Sequence, residues 1–125
     1  MGRKNSHRYT IFQNKDASAS FDNKNAATDV QFLDNLGIQV NWTGTPVGIL
    51  KVLVSNDVAS PTDGIPVVNW SELELDGGVP AIDNTNSDLI INLHQLPFKW
   101  LAVEYVRTSG TGAITIQLTS KMVGG

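Results

Sequence analysis

Ile38, Val40 and Trp42 alternate with Gln39 and Asn41, and Ile114, Ile116 and Leu118 alternate with Thr115 and Gln117. A period of two puts successive side chains on opposite faces of an extended chain, so both runs predict strands with one face buried. Gly48 to Val54, Leu89 to Leu93 and Trp100 to Arg107 are further apolar runs of strand length. In the first of these the apolar residues fall on both faces, which predicts a central strand or one covered on both sides. Val67 to Leu75 resumes the alternation, with Val68 and Trp70 expected inward, and Tyr9 to Gln13 and Asp29 to Leu33 read as further strands. Clusters of Gly, Pro, Asn and Asp separate the runs. The segment from Ala17 to Thr28 has apolar residues at no helical spacing, and no other stretch predicts a helix. The chain is therefore expected to be all-β, an antiparallel β-sandwich of jelly-roll or Ig-like type with about seven or eight strands. The runs on either side of Ser109-Gly110-Thr111-Gly112 are expected to form a hairpin.

At 125 residues the chain has the length of one domain and can bury a sizeable core without staples. Its charge is unevenly spread. Residues 1 to 15 hold Arg3, Lys4, Arg8 and Lys15 and no acid; the remainder holds five basic residues against all twelve acids, a net of -7. This predicts a basic, extended N-terminal arm over 1–15 and a single sandwich domain over 16–125, with Arg3, Lys4 and Arg8 free to dock on an acidic neighbour. Charged residues make up 17% of the chain, below the roughly 25% usual in globular domains. Asn, Ser, Thr and Gly fill the polar positions instead, a composition suited to subunits that pack closely against copies of themselves.

The sequence offers little for catalysis. There is no cysteine, which excludes disulfides, thiolate nucleophiles and Cys-ligated zinc. The two histidines, His7 and His94, give a triad or a His-rich metal site little to work with and are expected at the surface. No G-x-S-x-G, G-x-x-x-x-G-K-[ST] or G-x-G-x-x-G motif is present. Asp83 to Asp88 crowds oxygen donors together, yet an EF-hand would need Gly and Glu where Asp88 and His94 stand; an irregular calcium site there, or one using Asp57 and Asp63, stays open. Neither a catalytic residue, a metal nor a cofactor is expected. No run reaches the ~18 apolar residues of a membrane span, so no membrane partner is expected, and nucleic acid is not the expected partner either.

Two short phrases echo each other: Val40-Asn41-Trp42-Thr43-Gly44 and Val68-Asn69-Trp70-Ser71-Glu72. Both contain an N-x-[ST] glycan acceptor, but the N-terminus lacks the apolar stretch of a secretory signal. Valine and tryptophan keep the same phase in each, so both tryptophans are expected in the core. An exposed Trp42–Trp70–Trp100 platform would instead suit sugar binding.

Several segments in order carry a resemblance. They are Gln39-Val40-Asn41-Trp42-Thr43-Gly44-Thr45-Pro46-Val47-Gly48, then Val54-Ser55-Asn56-Asp57, then Asn69-Trp70 with Leu73 following. Pro97-Phe98-Lys99-Trp100-Leu101-Ala102-Val103-Glu104-Tyr105 and Thr108-Ser109-Gly110-Thr111-Gly112 complete the set. Over Gly37 to Lys121 the chain resembles small β-sandwich structural proteins of tailed bacteriophages. The resemblance implies a virion component made in the bacterial cytoplasm: a capsid decoration or auxiliary protein, or a neck or tail component. It implies no catalytic residue. The expected partners are copies of the chain itself, in a homo-oligomer, and other virion proteins such as major capsid or tail proteins. The N-terminal arm and two loops, represented by Thr43, Thr45 and Pro46 and by Ser109 and Thr111, are the expected contact residues. The alternative is a carbohydrate- or receptor-binding module of a phage tail fibre.

Overall fold

The computed structural model describes residues 5–30, 35–59, 63–75, 78–83, 87–94 and 98–122, with the backbone alone for 5–8, 94, 121 and 122. Ten strands are described: β1 (Asn5–Asp16), β2 (Phe21–Asp22), β3 (Thr28–Asp29), β4 (Asn35–Gly44), β5 (Val47–Ser55), β6 (Ser71–Glu72), β7 (Ala81–Ile82), β8 (Asp88–His94), β9 (Trp100–Ser109) and β10 (Gly112–Met122). A 3-10 turn, Lys24–Ala26, lies between β2 and β3. The strands form two antiparallel sheets packed as a sandwich. The first has the order β1-β10-β4-β8; the second has β2-β9-β5-β6, with β3 also on β9 and β7 also on β5.

The alternating positions meet between the sheets. From the first come Leu36, Ile38, Val40 and Trp42 of β4, Ile114, Ile116 and Leu118 of β10, and Ile91 and Leu93 of β8; all are buried. The second contributes Leu50 and Val52 of β5 and Leu101, Val103 and Tyr105 of β9, each with no exposed surface. Burying apolar area at about 25 cal/mol per Å2 makes this interlayer the main source of stability. As its two-sided apolar pattern predicts, β5 is central, with β9 on one side and β6 and β7 on the other. Leu53, Ala102 and Trp100 have the opposite phase from the interlayer residues and are buried as well.

Three expectations need correction. First, β9 and β10 do not make a hairpin: β9 belongs to the second sheet and β10 to the first. The same holds for β4 and β5, so the two connections cross the sandwich side by side. β4–β5 and β9–β10 thus form one two-stranded ribbon folded over itself. Its register runs without a slip from Asn35 opposite Lys121 to Gly44 opposite Gly112, and resumes with Val47 opposite Ser109. A one-residue irregularity follows between Val47 and Gly48. Second, Val67 to Leu75 is not a strand; only Ser71–Glu72 pairs with β5, and Val68 is 69% exposed. Third, the segment ahead of residue 16 is not separate from the sandwich. From Asn5 onward it is β1, paired with β10 from Asn5 opposite Met122 to Asp16 opposite Ala113.

Candidate functional site

The fold brings the two predicted contact loops together at the corner where the ribbon changes sheets. The Thr45 N–H donates to the Thr111 carbonyl at 2.8 Å, closing a rung between the two crossing loops. Gly110 has φ +80° and Gly112 φ +153°, conformations that side chains with a β-carbon rarely adopt. A β-carbon on Gly110 would overlap the Thr45 carbonyl oxygen, and one on Gly112 that of Thr43. The loops can therefore lie this close only because both residues are glycine.

Neighbouring groups fix the corner from beneath. The Arg107 guanidinium donates to the Gly110 carbonyl from Nε at 3.0 Å and from Nη2 at 2.9 Å. The Arg107 backbone N–H donates to Ser20 Oγ, and the Ala17 N–H to the Gly112 carbonyl at 2.9 Å. From inside, the Tyr105 hydroxyl donates to the Val47 carbonyl at 3.2 Å. Burial pushes the Tyr105 phenol up from its ordinary value, the nearby Arg107 charge opposing this. On this frame Thr43, Thr45, Ser109 and Thr111 are exposed, whereas Pro46 is buried. Pro46 is thus a wedge within the corner, and the outer surface is a ridge of short hydroxyl side chains beside Arg107. Arg3 and Lys4 lie outside the described residues. Arg8 is placed by its backbone in β1, opposite Thr119, on the first sheet and not in this corner.

A second constellation gathers the phrases that carry the phage resemblance. Asp57 stands two residues beyond the end of β5. Its Oδ2 accepts the N–H groups of Val68 and Asn69, and its Oδ1 accepts the Asn69 side-chain amide, all at 2.9 Å. Those bonds hold the carboxyl below its ordinary value: the Asn69 side chain contributes most, then the Asn69 N–H and the Val68 N–H, with desolvation opposing. The Trp100 Nε1 donates to the Asp57 carbonyl, and the Lys99 N–H to Asn56 Oδ1. Ser55-Asn56-Asp57, Asn69-Trp70 and Lys99-Trp100 are therefore parts of one clamp that holds the connection after β5. With both Asp57 oxygens occupied by donors, its chemistry is that of an anchor. Among the described residues no group of three His, Asp or Glu side chains could hold a metal ion.

The indoles do not form a platform. Trp42 and Trp100 are 6% and 8% exposed, and the Trp42 Nε1 donates to the Asp83 carbonyl. Trp70 is half-buried, with its Nε1 shielded from solvent. A buried asparagine has no counterpart among the sequence expectations. The Asn23 Oδ1 accepts the Val103 N–H at 2.7 Å and the Asn23 backbone N–H donates to the Val103 carbonyl, so its side-chain oxygen and main chain together make a rung at the edge of β9. Only its position after Phe21-Asp22 in an otherwise polar stretch hints at this role.

No protein-family model matches the chain, and no curated protein is similar to it in sequence. Among solved structures the chain is similar to the SPBc2 prophage-derived protein YomS, with TM-score 0.64 and 13% identity over 97% of this chain and 96% of that one. A looser correspondence links it to a Bacillus endospore appendage protein of disulfide-linked pili, with TM-score 0.48 and 10% identity over 98% of this chain and 91% of that one. A protein of infectious bursal disease virus, Gx strain, has TM-score 0.44 and 14% identity over 98% of this chain and 33% of that one. These last two likenesses are too loose to bear on function. The likeness to YomS establishes a shared sandwich from end to end.

Proposed function

We propose that this chain is a non-enzymatic structural protein of a phage particle, assembling through protein–protein contacts as a capsid decoration or auxiliary protein or as a neck or tail component. The observation that carries the reading is the end-to-end correspondence of its fold with a prophage-derived protein. The ordered phrases that resemble tailed-phage β-proteins support the same assignment. Their residues build the corner and the Asp57 clamp, two rigid features that hold loops in fixed positions for contact. The hydroxyl ridge of Thr43, Thr45, Ser109 and Thr111 is the contact surface of this reading. Many modest contacts repeated over a lattice give avidity without a deep pocket. The chain and its neighbours would meet in the particle, with no cofactor and no catalytic residue.

The test is mass spectrometry of particles purified from the phage, or from the induced lysogen, whose genome encodes the chain. The chain should co-purify through a density gradient at a fixed ratio to the major structural proteins. Its absence from particles, when it is present in the same lysate, would overturn the reading. Thr45→Arg combined with Thr111→Arg tests the ridge. Incorporation should fall at least tenfold while circular dichroism stays unchanged.

A further inference from the structure

The first sheet has two outer strands, and they are built differently. β1 slips register against β10 twice, between Thr10 and Phe12 and between Phe12 and Lys15. It also carries Asn14 at φ 49°. Bulges and charged residues are the devices by which sheet proteins keep an edge from pairing with another chain, and β1 has both, with Arg8 and Lys15 in its sequence. The outer strands of the second sheet are two-residue pieces. β8 has none of these protections. It runs in unbroken register along β4, from Asp88 opposite Asn41 to His94 opposite Asn35. Between those ends the sequence Leu89-Ile90-Ile91-Asn92-Leu93 contains no charge and no proline. Ile90, on the outward face, is 66% exposed. Among the described residues β8 has a strand neighbour on one side only.

The direction of its backbone groups follows from one bond. The Trp42 N–H donates to the Ser87 carbonyl, and these residues stand opposite each other if the β4–β8 register is extended by one step. Hydrogen-bonded and non-hydrogen-bonded pairs alternate along an antiparallel ladder. Leu89, Ile91 and Leu93 therefore turn their N–H and C=O groups toward β4, and Ile90 and Asn92 turn theirs to the open side.

We infer that β8 is a self-complementary edge that pairs antiparallel with β8 of a second copy of this chain, centred on Ile91. This register uses the whole strand. Ile91 faces Ile91 of the second copy, Leu89 faces Leu93, and Ile90 faces Asn92. It also satisfies the phase set by the Trp42–Ser87 bond: the central pair is non-hydrogen-bonded, and the outward-turned groups of Ile90 and Asn92 exchange bonds across the two-fold axis. Every inward residue meets an inward residue, so Leu89, Ile91 and Leu93 extend the apolar interlayer across the junction into one continuous eight-stranded sheet. A net charge of only -3 opposes the approach of two copies weakly. The contact is isologous, hence closed at two copies. It rests on and deepens the structural role by naming the first partner as the chain itself, through a surface separate from the hydroxyl ridge.

Two substitutions test it on the full chain by sedimentation and light scattering across a concentration series. Asn92→Pro removes an N–H from the open side of β8 and leaves every bond to β4 in place; Ile90→Lys sets a charge on the edge. The unmodified chain should sediment as a dimer, and each variant should be a monomer with the same circular dichroism and an unfolding temperature within a few degrees. As the chain has no cysteine, an equimolar mixture of Ile90→Cys and Asn92→Cys proteins should cross-link under mild oxidation at least fivefold faster than either alone, which reports the register. A monomer at every concentration, or a dimer that both folded variants retain, would overturn the proposal. Particle incorporation separates the two readings: a β8 dimer that never enters particles refutes the structural role alone, and a particle protein that is monomeric in solution refutes this edge alone.

Discussion

Val40-Asn41-Trp42 and Val68-Asn69-Trp70 are the same three residues in two different structures. In β4 the valine and tryptophan are buried and the asparagine stands in the outer ladder, opposite Asp88 on one side and Thr115 on the other. In the second copy the valine is exposed, the tryptophan half-buried, and the asparagine bonded to Asp57. What differs is the partner for the backbone. β4 has β10 and β8 on its two sides, which take up its N–H and C=O groups in ladders. At Val68 and Asn69 a single carboxylate has captured the N–H groups that a neighbouring strand would otherwise bind. Asp side chains compete with sheet ladders for backbone donors in this way. Strand propensity in three residues does not decide between the outcomes.

The sharpest break in the comparison is removal of each indole. Trp42→Ala should destabilise the fold by about 3–5 kcal/mol, the range for a large buried aromatic side chain. Trp70→Ala should cost about 1–2 kcal/mol; both are read from urea or guanidinium unfolding. Equal losses would show that the second phrase is as much core as the first. Val→Thr comes next, because it keeps shape and adds a hydroxyl. Val40→Thr, at a site with no exposed surface, should cost about 1–3 kcal/mol for an unpaired buried polar group, whereas Val68→Thr should stay within about 0.5 kcal/mol. The smallest effect is a local one with pH. The folded Asp57 has its pKa depressed below the ordinary 3.8, so the clamp is fully present above that value and is lost as pH falls through the lower, folded one. Amide exchange at Val68 and Asn69 should lose protection in that acid window, while amides of β4 such as Val40 stay protected. Simultaneous loss would mean that the clamp does not open on its own.

Much of the fold could be read in the sequence because β4 and β10 keep an intact alternation, and β5 and β9 are apolar runs of strand length. β1 was legible only in part. Its two register slips break the period of two, so Tyr9, opposite the buried Leu118, and Phe12, opposite Ile116, fall three residues apart. The false hairpin has a different cause. Positive-φ glycines are needed both by a tight turn within a sheet and by a crossing between sheets, and the local sequence of Ser109 to Gly112 serves either. The resemblance to phage β-proteins points to the contact loops, but their adjacency depends on the pairing of β4 with β10 and β5 with β9, which no local pattern encodes. Asp57 was legible as a loop aspartate; its partners lie more than ten residues on.

The folded ribbon also ranks its rungs by the length of chain that each must close. The shortest stretch that any rung between β4–β5 and β9–β10 encloses runs from Ser55 to Trp100, so that rung carries the smallest loop-closure cost of the ribbon. Outward past the corner each further rung encloses more chain, up to Asn35 opposite Lys121. A topology of such distant contacts folds on the order of milliseconds to seconds. By the same measure β8 closes on β4 from Asn41 to Asp88, a shorter stretch than any rung between β4 and β10, so the edge offered to a second copy need not wait for the ribbon to be complete.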